Sequence, residues 1–203
     1  MLFAVPADAD PQVVAEAVRS RLPRLAEEVE RRRRGGGEPV KELVSGESFA
    51  YLGRRHRLKA VPAAAGGRVR LHQGWLELPD NGSRQERGRL IAQWYAARGS
   101  RWVSTRARPL AELTGVAPRE VVLRDMGRRW GACEPDGSIT LHWALMQLSP
   151  DLVDLVLVHE LTHLRVPAHS AAFRHRMRMV LEDLEGLERR FAEAEPVLWR
   201  GAV

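Results

Sequence analysis

The chain predicts an α+β protein in which one histidine-bearing helix packs on a small sheet, behind an N-terminal helix and a β-hairpin region. Three observations predict it. Residues 156–173 read V-L-V-H-E-L-T-H-L-R-V-P-A-H-S-A-A-F, an H-E-x-x-H followed by a third histidine, His169. Between 40 and 78, short apolar runs alternate with glycine-containing breaks, the pattern of hairpins. Between 84 and 108, apolar residues recur at helical spacing instead. A chain of 203 residues supports one core with an appendage. The expected division is 1–37, an N-terminal helix and glycine-rich linker; 38–82, a β-hairpin region; and 83–203, the helical metal-binding region. Residues 38–203 are read as one continuous domain.

Taken in order, residues 2–5 read as a short strand. Asp10-Pro11 opens a helix carrying Val13, Val14, Ala17, Val18 and Leu22, which Pro23 kinks or divides. It closes in the charged run 27–34, and Gly35-Gly36-Gly37 is a linker. Residues 48–52 and 57–61 form one expected hairpin across 53–56; 69–72 and 75–78 form a second across Gln73-Gly74. His56 and His72 sit at strand ends without ligand-like neighbours. In the long helix 84–108, Leu90, Ile91, Trp94, Tyr95 and Trp102 make the core face. Pro109 is expected to end it and leave 109–116 as a separate short helix. Residues 120–123, E-V-V-L, are a strand. Two more strands flank the turn Glu134-Pro135-Asp136-Gly137, so the one carrying Trp130 runs antiparallel to the one carrying Leu141.

The helix with the histidines starts at Ser149, a natural N-cap, with Pro150 in the first helical position and Asp151 in the first turn. Its residues 152–158 are apolar except Asp154, so it is expected to be buried. Residues four apart share a helix face, so His159 and His163 can offer ring nitrogens to one ion. Burying two histidines and a glutamate without partners would cost several kcal/mol, roughly the scale of unpaired polar groups. A metal supplies the partner. Glu160 lies about 100° round the helix from His159, close enough to act on a metal-activated water as general base. Pro167 ends the helix near Arg165, and Ser170 caps a new one. His169 stands at that corner and is the expected third ligand. A glutamate of the following helix, Glu182 or Glu185, is the alternative. Arg129 and His142 are the polar groups of the neighbouring strands that can face the cleft and stabilise an oxyanion. Trp130 is expected to fill the space between sheet and helix, and Gly131 to allow a close approach.

Cys133 is the single cysteine, which excludes an intramolecular disulfide and argues for a cytoplasmic protein. The start, M-L-F-A-V-P-A-D-A-D, lacks a basic signal region, and no apolar run is long enough to span a membrane. The net charge of +6 is almost wholly arginine, since Lys41 and Lys59 are the only lysines. That balance permits a nucleotide or nucleic acid partner.

The motifs R-R-W-G-A-C (128–133), G-S-I-T-L-H-W (137–143), L-V-L-V-H-E-L-T-H-L (155–164) and A-H-S-A-A-F (168–173) occur in one order. Together with G-E-S-F-A-Y-L-G-R (46–54) they resemble the YgjP-like metallopeptidase family, related to the SprT-like and WLM zinc proteases. The resemblance implies a zincin-like core and one zinc per chain, held by His159, His163 and His169. It implies Glu160 as the catalytic residue and peptides or proteins as substrates. His142 and Ala168 stand where the family has asparagine, and Arg174 where it has tryptophan. The resemblance also brings an alternative, a metal-dependent nucleoside triphosphate phosphohydrolase. A DNA-associated module with a structural zinc is the third reading, which the intact Glu160 disfavours.

Overall fold

The structure, a computed structural model, describes residue 12 and residues 38–62 and 67–203. The strand expected at 2–5, the helix expected from Asp10 and the triple-glycine linker lie outside the described residues. The chain falls into two units, Met1–Glu38 and Pro39–Val203. The second is mixed α+β, with two small sheets and four α-helices among the described residues.

Strands β1 (Ser48–Tyr51) and β2 (Arg54–Val61) form the first hairpin, with Ser48 opposite Arg57 and Tyr51 opposite Arg54. Leu52 and Gly53 turn the chain with φ of 47° and 76°. Two successive positive φ values close a two-residue turn, so β2 begins three residues earlier than expected. Strands β3 (Arg70–His72) and β4 (Trp75–Pro79) form the second hairpin. The two hairpins join through a parallel β2–β4 pairing, which makes one sheet in the order β1-β2-β4-β3.

Helix α1 spans Arg84–Thr114. Ser83 and Glu86 cap it reciprocally: the Ser83 hydroxyl accepts the Glu86 N–H at 3.2 Å, and the Glu86 carboxylate accepts the Ser83 N–H at 2.7 Å. The expected break at Pro109 does not occur. Pro109 and Thr105, whose carbonyl loses its donor, are both exposed, so water can take that carbonyl. Meanwhile Val103, Ala107, Leu110 and Ala111 continue the buried stripe past the proline. Core burial on one face outweighs the missing bond on the other. Gly115 ends the helix in the left-handed region, φ 66°.

Strands β5 (Val121–Arg124), β6 (Gly131–Cys133) and β7 (Ile139–His142) form the second sheet, in the order β5-β7-β6. β5 runs parallel to β7, and β6 runs antiparallel to it as expected, with Gly131 opposite Leu141. β7 is buried throughout, and β6 is the edge. A 3-10 turn, Trp143–Gln147, leads to α2 (Pro150–His163); α3 (Ala171–Val180) and α4 (Leu184–Ala194) follow. An aromatic cluster ties the layers together. Trp143 stacks on Tyr95 of α1 at 5.6 Å and meets Trp199 edge-on at 5.4 Å, and Trp199 meets Phe49 of β1 at 5.5 Å. No helix of the described residues is long and apolar enough to cross a membrane.

Candidate metal centre

Helix α2 is buried on nearly every side, and Asp154 and Thr162 have partners there. Asp154 is gripped by the Arg106 guanidinium of α1 at 2.9 and 3.0 Å, and the Thr162 hydroxyl donates to the Val158 carbonyl at 2.7 Å. Ser149 occupies the N-cap, but its hydroxyl turns to Asp151 and makes no capping bond. After His163 the chain unwinds: the Arg165 and Val166 N–H groups both return to the Thr162 carbonyl, and Pro167 stops the ladder. Ser170 then caps α3 by accepting the Phe173 N–H at 3.3 Å. His169 at this corner folds back over α2.

The result is a near-equilateral triangle of ring nitrogens. The Nε2 atoms of His159 and His163 are 3.2 Å apart, those of His163 and His169 3.1 Å, and those of His169 and His159 2.9 Å. Among the described residues this is the group of histidine, cysteine and carboxylate donors close enough to hold an ion. A tetrahedral ion at about 2.0–2.1 Å from each nitrogen holds them roughly 3.3 Å apart, so the spacing fits with little adjustment. Three imidazole nitrogens converging on one point cannot satisfy one another with hydrogen bonds. The Nδ1 of His163 lies 3.2 Å from the Val166 carbonyl; donating there leaves its Nε2 lone pair facing the centre. Burial pushes His159 down to about 4, helped by the two neighbouring imidazoles, and also lowers His163. Both rings are neutral, ligand-competent bases at neutral pH. Beneath them lies Phe173, buried, its ring 4.9, 4.7 and 4.9 Å from those of His159, His163 and His169. The sequence reading missed this residue as a site member; the signal was its place four residues after His169 on the helix that Ser170 caps.

Glu160 is 7% exposed and reaches toward β6. A Cβ on Gly131 would lie 2.4 Å from the Glu160 Oε1 and 2.8 Å from its Cδ and Cγ. The space at Gly131, expected to admit another backbone or a substrate, is taken by the Glu160 side chain. Burial raises the Glu160 carboxyl to about 7, against the opposing pull of the Arg129 guanidinium. Arg129, Gly131, Ala132, Cys133, Glu160, Pro167 and the three histidines line one cleft of about 450 Å³. Arg129 and Asp125 form no ion pair; Asp125 accepts the Gly127 N–H at 2.9 Å and lies 3.6 Å from the His142 ring. Burial and the carboxylates of Glu160, Glu134 and Asp136 keep Cys133 a thiol.

Several expected participants lie elsewhere. His142 is fully buried behind the cleft, neither facing it nor on the strand surface. Its ring sits between Trp130 and Trp143, centroids 5.6 and 5.4 Å away, and its Nδ1 accepts the Ala144 N–H at 3.0 Å to cap the 3-10 turn. Trp130 does not fill the gap between sheet and α2. It turns to the far side, edge-on to Phe191 of α4, and its indole N–H donates to Glu195 at 2.8 Å. Arg200 lies over its face at 3.8 Å. Glu185 is held by Arg174 at 3.2 Å and by Arg178 at 3.1 Å, and Glu182 is exposed; neither joins the histidines.

An α+β fold with a triad of facing imidazoles beside a buried carboxylate defines a class, a protein built to carry a metal. Residues 2–194 match the YgjP-like, metallopeptidase domain family, and the chain belongs to it. A solved structure, that of the metallopeptidase zymogen of Pyrococcus abyssi abylysin, is 22% identical over 48% of this chain and 95% of that chain, with a TM-score of 0.40. No curated protein is significantly similar in sequence.

Proposed function

We propose that this chain is a zinc metallopeptidase with a zincin-like core, binding one zinc on His159, His163 and His169 and using Glu160 as general base on peptide or protein substrates. The observation that carries the reading is the triangle of Nε2 atoms, 2.9–3.2 Å on a side, with the Glu160 carboxylate beside it in one cleft. When bound, zinc supplies a Lewis acid that acidifies water and polarises a carbonyl. Glu160 accepts the proton from the attacking water and returns it to the leaving amine; its buried position beside the three histidines is what suits it to that role. The edge strand β6 offers main-chain groups along which an extended peptide can pair. Arg129, at the rim, stabilises negative charge that develops on the carbonyl oxygen.

A phosphohydrolase reading is weaker on the same geometry. Triphosphate chemistry draws on several cations, and Arg129 is the one cation among the residues lining this cleft. A purely structural zinc is weaker too, because three protein donors leave a fourth position open. We take 38–203 as the catalytic domain, 1–37 as its appendage, and the cytoplasm as the location that a lone cysteine suits best.

Metal analysis of the purified chain should find one zinc per molecule, lost in His169→Ala and retained in Glu182→Ala. The zinc form should cleave members of a mixed peptide library, and chelation should abolish cleavage. Zinc retained by His169→Ala but lost from Glu182→Ala would overturn the ligand set. Nucleotide hydrolysis without peptide cleavage would overturn the substrate class.

A further inference from the structure

The outer face of the first sheet is a second place where chemistry gathers, remote in sequence from the histidine cleft. Directly paired strand residues point to the same face. Arg57 pairs with Trp75, and Trp75 with His72, so the three lie side by side across β2, β4 and β3. Lys59, Glu77 and Arg70 form the next row, and Arg55 precedes Arg57 on the same face of β2. The opposite face carries Phe49, Leu58, Leu76 and Leu78, all buried in the core. The basic face is therefore the solvent face by register, and Arg55, Arg57, Lys59, Arg70 and His72 are all exposed.

Trp75 is the unusual member. It is 40% exposed at the start of β4, an interior strand, where the alternation would be satisfied by any polar residue. Among the described residues the face carries one carboxylate, Glu77, which is spent on Arg70 at 2.6 Å and His72 at 3.4 Å. Arg55, Arg57 and Lys59 make no ion pair within the described residues. Alternate residues of a strand are about 6.8 Å apart, so these three set a row of positive charge along β2, beside an open aromatic ring.

We propose that this face binds single-stranded nucleic acid, with a base stacked on Trp75 and the backbone phosphates along Arg55, Arg57 and Lys59. Charge complementarity selects a polyanion. The indole, open to solvent and flanked by Arg57 and His72, selects one with planar rings, because base–aromatic stacking is indifferent to sequence and needs only an accessible face. A row of cations beside one open ring suits an unpaired strand better than a duplex, whose bases are stacked on one another and leave no free face for Trp75.

The test uses the full chain and fluorescein-labelled oligothymidylate and oligouridylate of about 15 nucleotides, read by fluorescence anisotropy. Binding should fall with salt, and Arg55→Ser/Arg57→Ser/Lys59→Ser should reduce the slope of log K on log salt by about 2, from about 0.7 per phosphate contact on a single strand. Trp75→Ala should weaken binding about tenfold, the scale of one lost stack, with Trp75→Phe recovering most of it. Thermal melts of the variants control for folding, and Trp75→Phe preserves the question should Trp75→Ala unfold. Tighter binding of uridylate or of thymidylate would assign the strand as RNA or DNA, and either supports the proposal. It is overturned by wild-type binding no stronger than the triple variant's, by unchanged binding in a folded Trp75→Ala, or by polyglutamate competing as well as the oligonucleotide at equal charge.

Discussion

Gly131 has no room for a side chain, and the reason is a single neighbour. A methyl group there would meet the Glu160 carboxylate and its Cγ and Cδ at 2.4–2.8 Å. The obstacle is a flexible side chain, not backbone, so Glu160 can swing away at little cost to the fold. Gly131→Ala should therefore melt within a few degrees of the parent, a surface-like change of roughly 0.5 kcal/mol. On the proposed mechanism it should still lose about 10²-fold or more in peptide turnover, because a displaced Glu160 no longer reaches the proton it is proposed to accept. Melting curves and turnover measured on one preparation separate the two effects. A Gly131→Ala enzyme of full activity would show that Glu160 need not hold its present position. Glu160→Gln makes the complementary change: shape and zinc content stay, the basic site disappears, and turnover should again fall about 10²-fold or more. Activity of Glu160→Gln near the parent's would remove this residue from the mechanism.

At the scale of elements, the strand that lines the cleft is held from behind. Trp130, just before β6, is gripped by Glu195 through its indole N–H and by Arg200 across its face, and the Arg200 guanidinium also donates to the Gly127 carbonyl at 2.8 Å. Arg200 and Glu195 are themselves 3.8 Å apart. The segment after α4 thus clamps the loop that delivers Arg129 and Gly131 to the cleft. Full burial of a tryptophan is worth about 3–5 kcal/mol against alanine. Trp130 is only half-buried, so Trp130→Ala should destabilise by about 2–3 kcal/mol. Arg200→Ala should cost about 1 kcal/mol, the scale of a partly desolvated cation–π contact, and lower turnover while zinc content is unchanged. Chemical denaturation, metal analysis and turnover of these two variants test the clamp. Parent-like stability in Trp130→Ala would show that the contact does not hold the strand.

For the whole molecule, the buried His142 couples stability to pH. Burial pushes its imidazole down to about 4, with Asp125 at 3.6 Å partly opposing and Arg200 reinforcing. Unfolded, the same ring has a pKa of about 6.5. Between those values the unfolded chain binds the proton and the folded chain does not, so stability rises with pH across the window from about 4 to 6.5. Acidification through that window should remove on the order of 3 kcal/mol through this group alone, and little further below 4, where both states are protonated. His142→Asn, which cannot titrate, should flatten that part of the profile. Urea denaturation of both proteins between pH 4 and 7 provides the comparison. An equally steep acid limb in His142→Asn would place the coupling elsewhere.

What the sequence by itself determined is what local geometry controls. The four-residue spacing of His159 and His163, the stop at Pro167, the cap at Ser170 and the two hairpins each depend on hydrogen bonds between residues a few positions apart. The stretch R-R-W-G-A-C before the turn at Glu134 pointed to the cleft strand and its glycine. The tertiary structure decided the matters that depend on neighbours distant in the chain. Pro109 sits inside a helix because the opposite face is buried. The hairpins form one sheet because β2 meets β4 in parallel. His142 lies in the core because Trp130 and Trp143 close over it. Gly131 is required because Glu160, 29 positions later, occupies the space its side chain would need. Phe173 supports three imidazoles because α3 folds back across α2. No local periodicity encodes such contacts; they arise when buried faces from separate segments compete for the same volume at close-packed density.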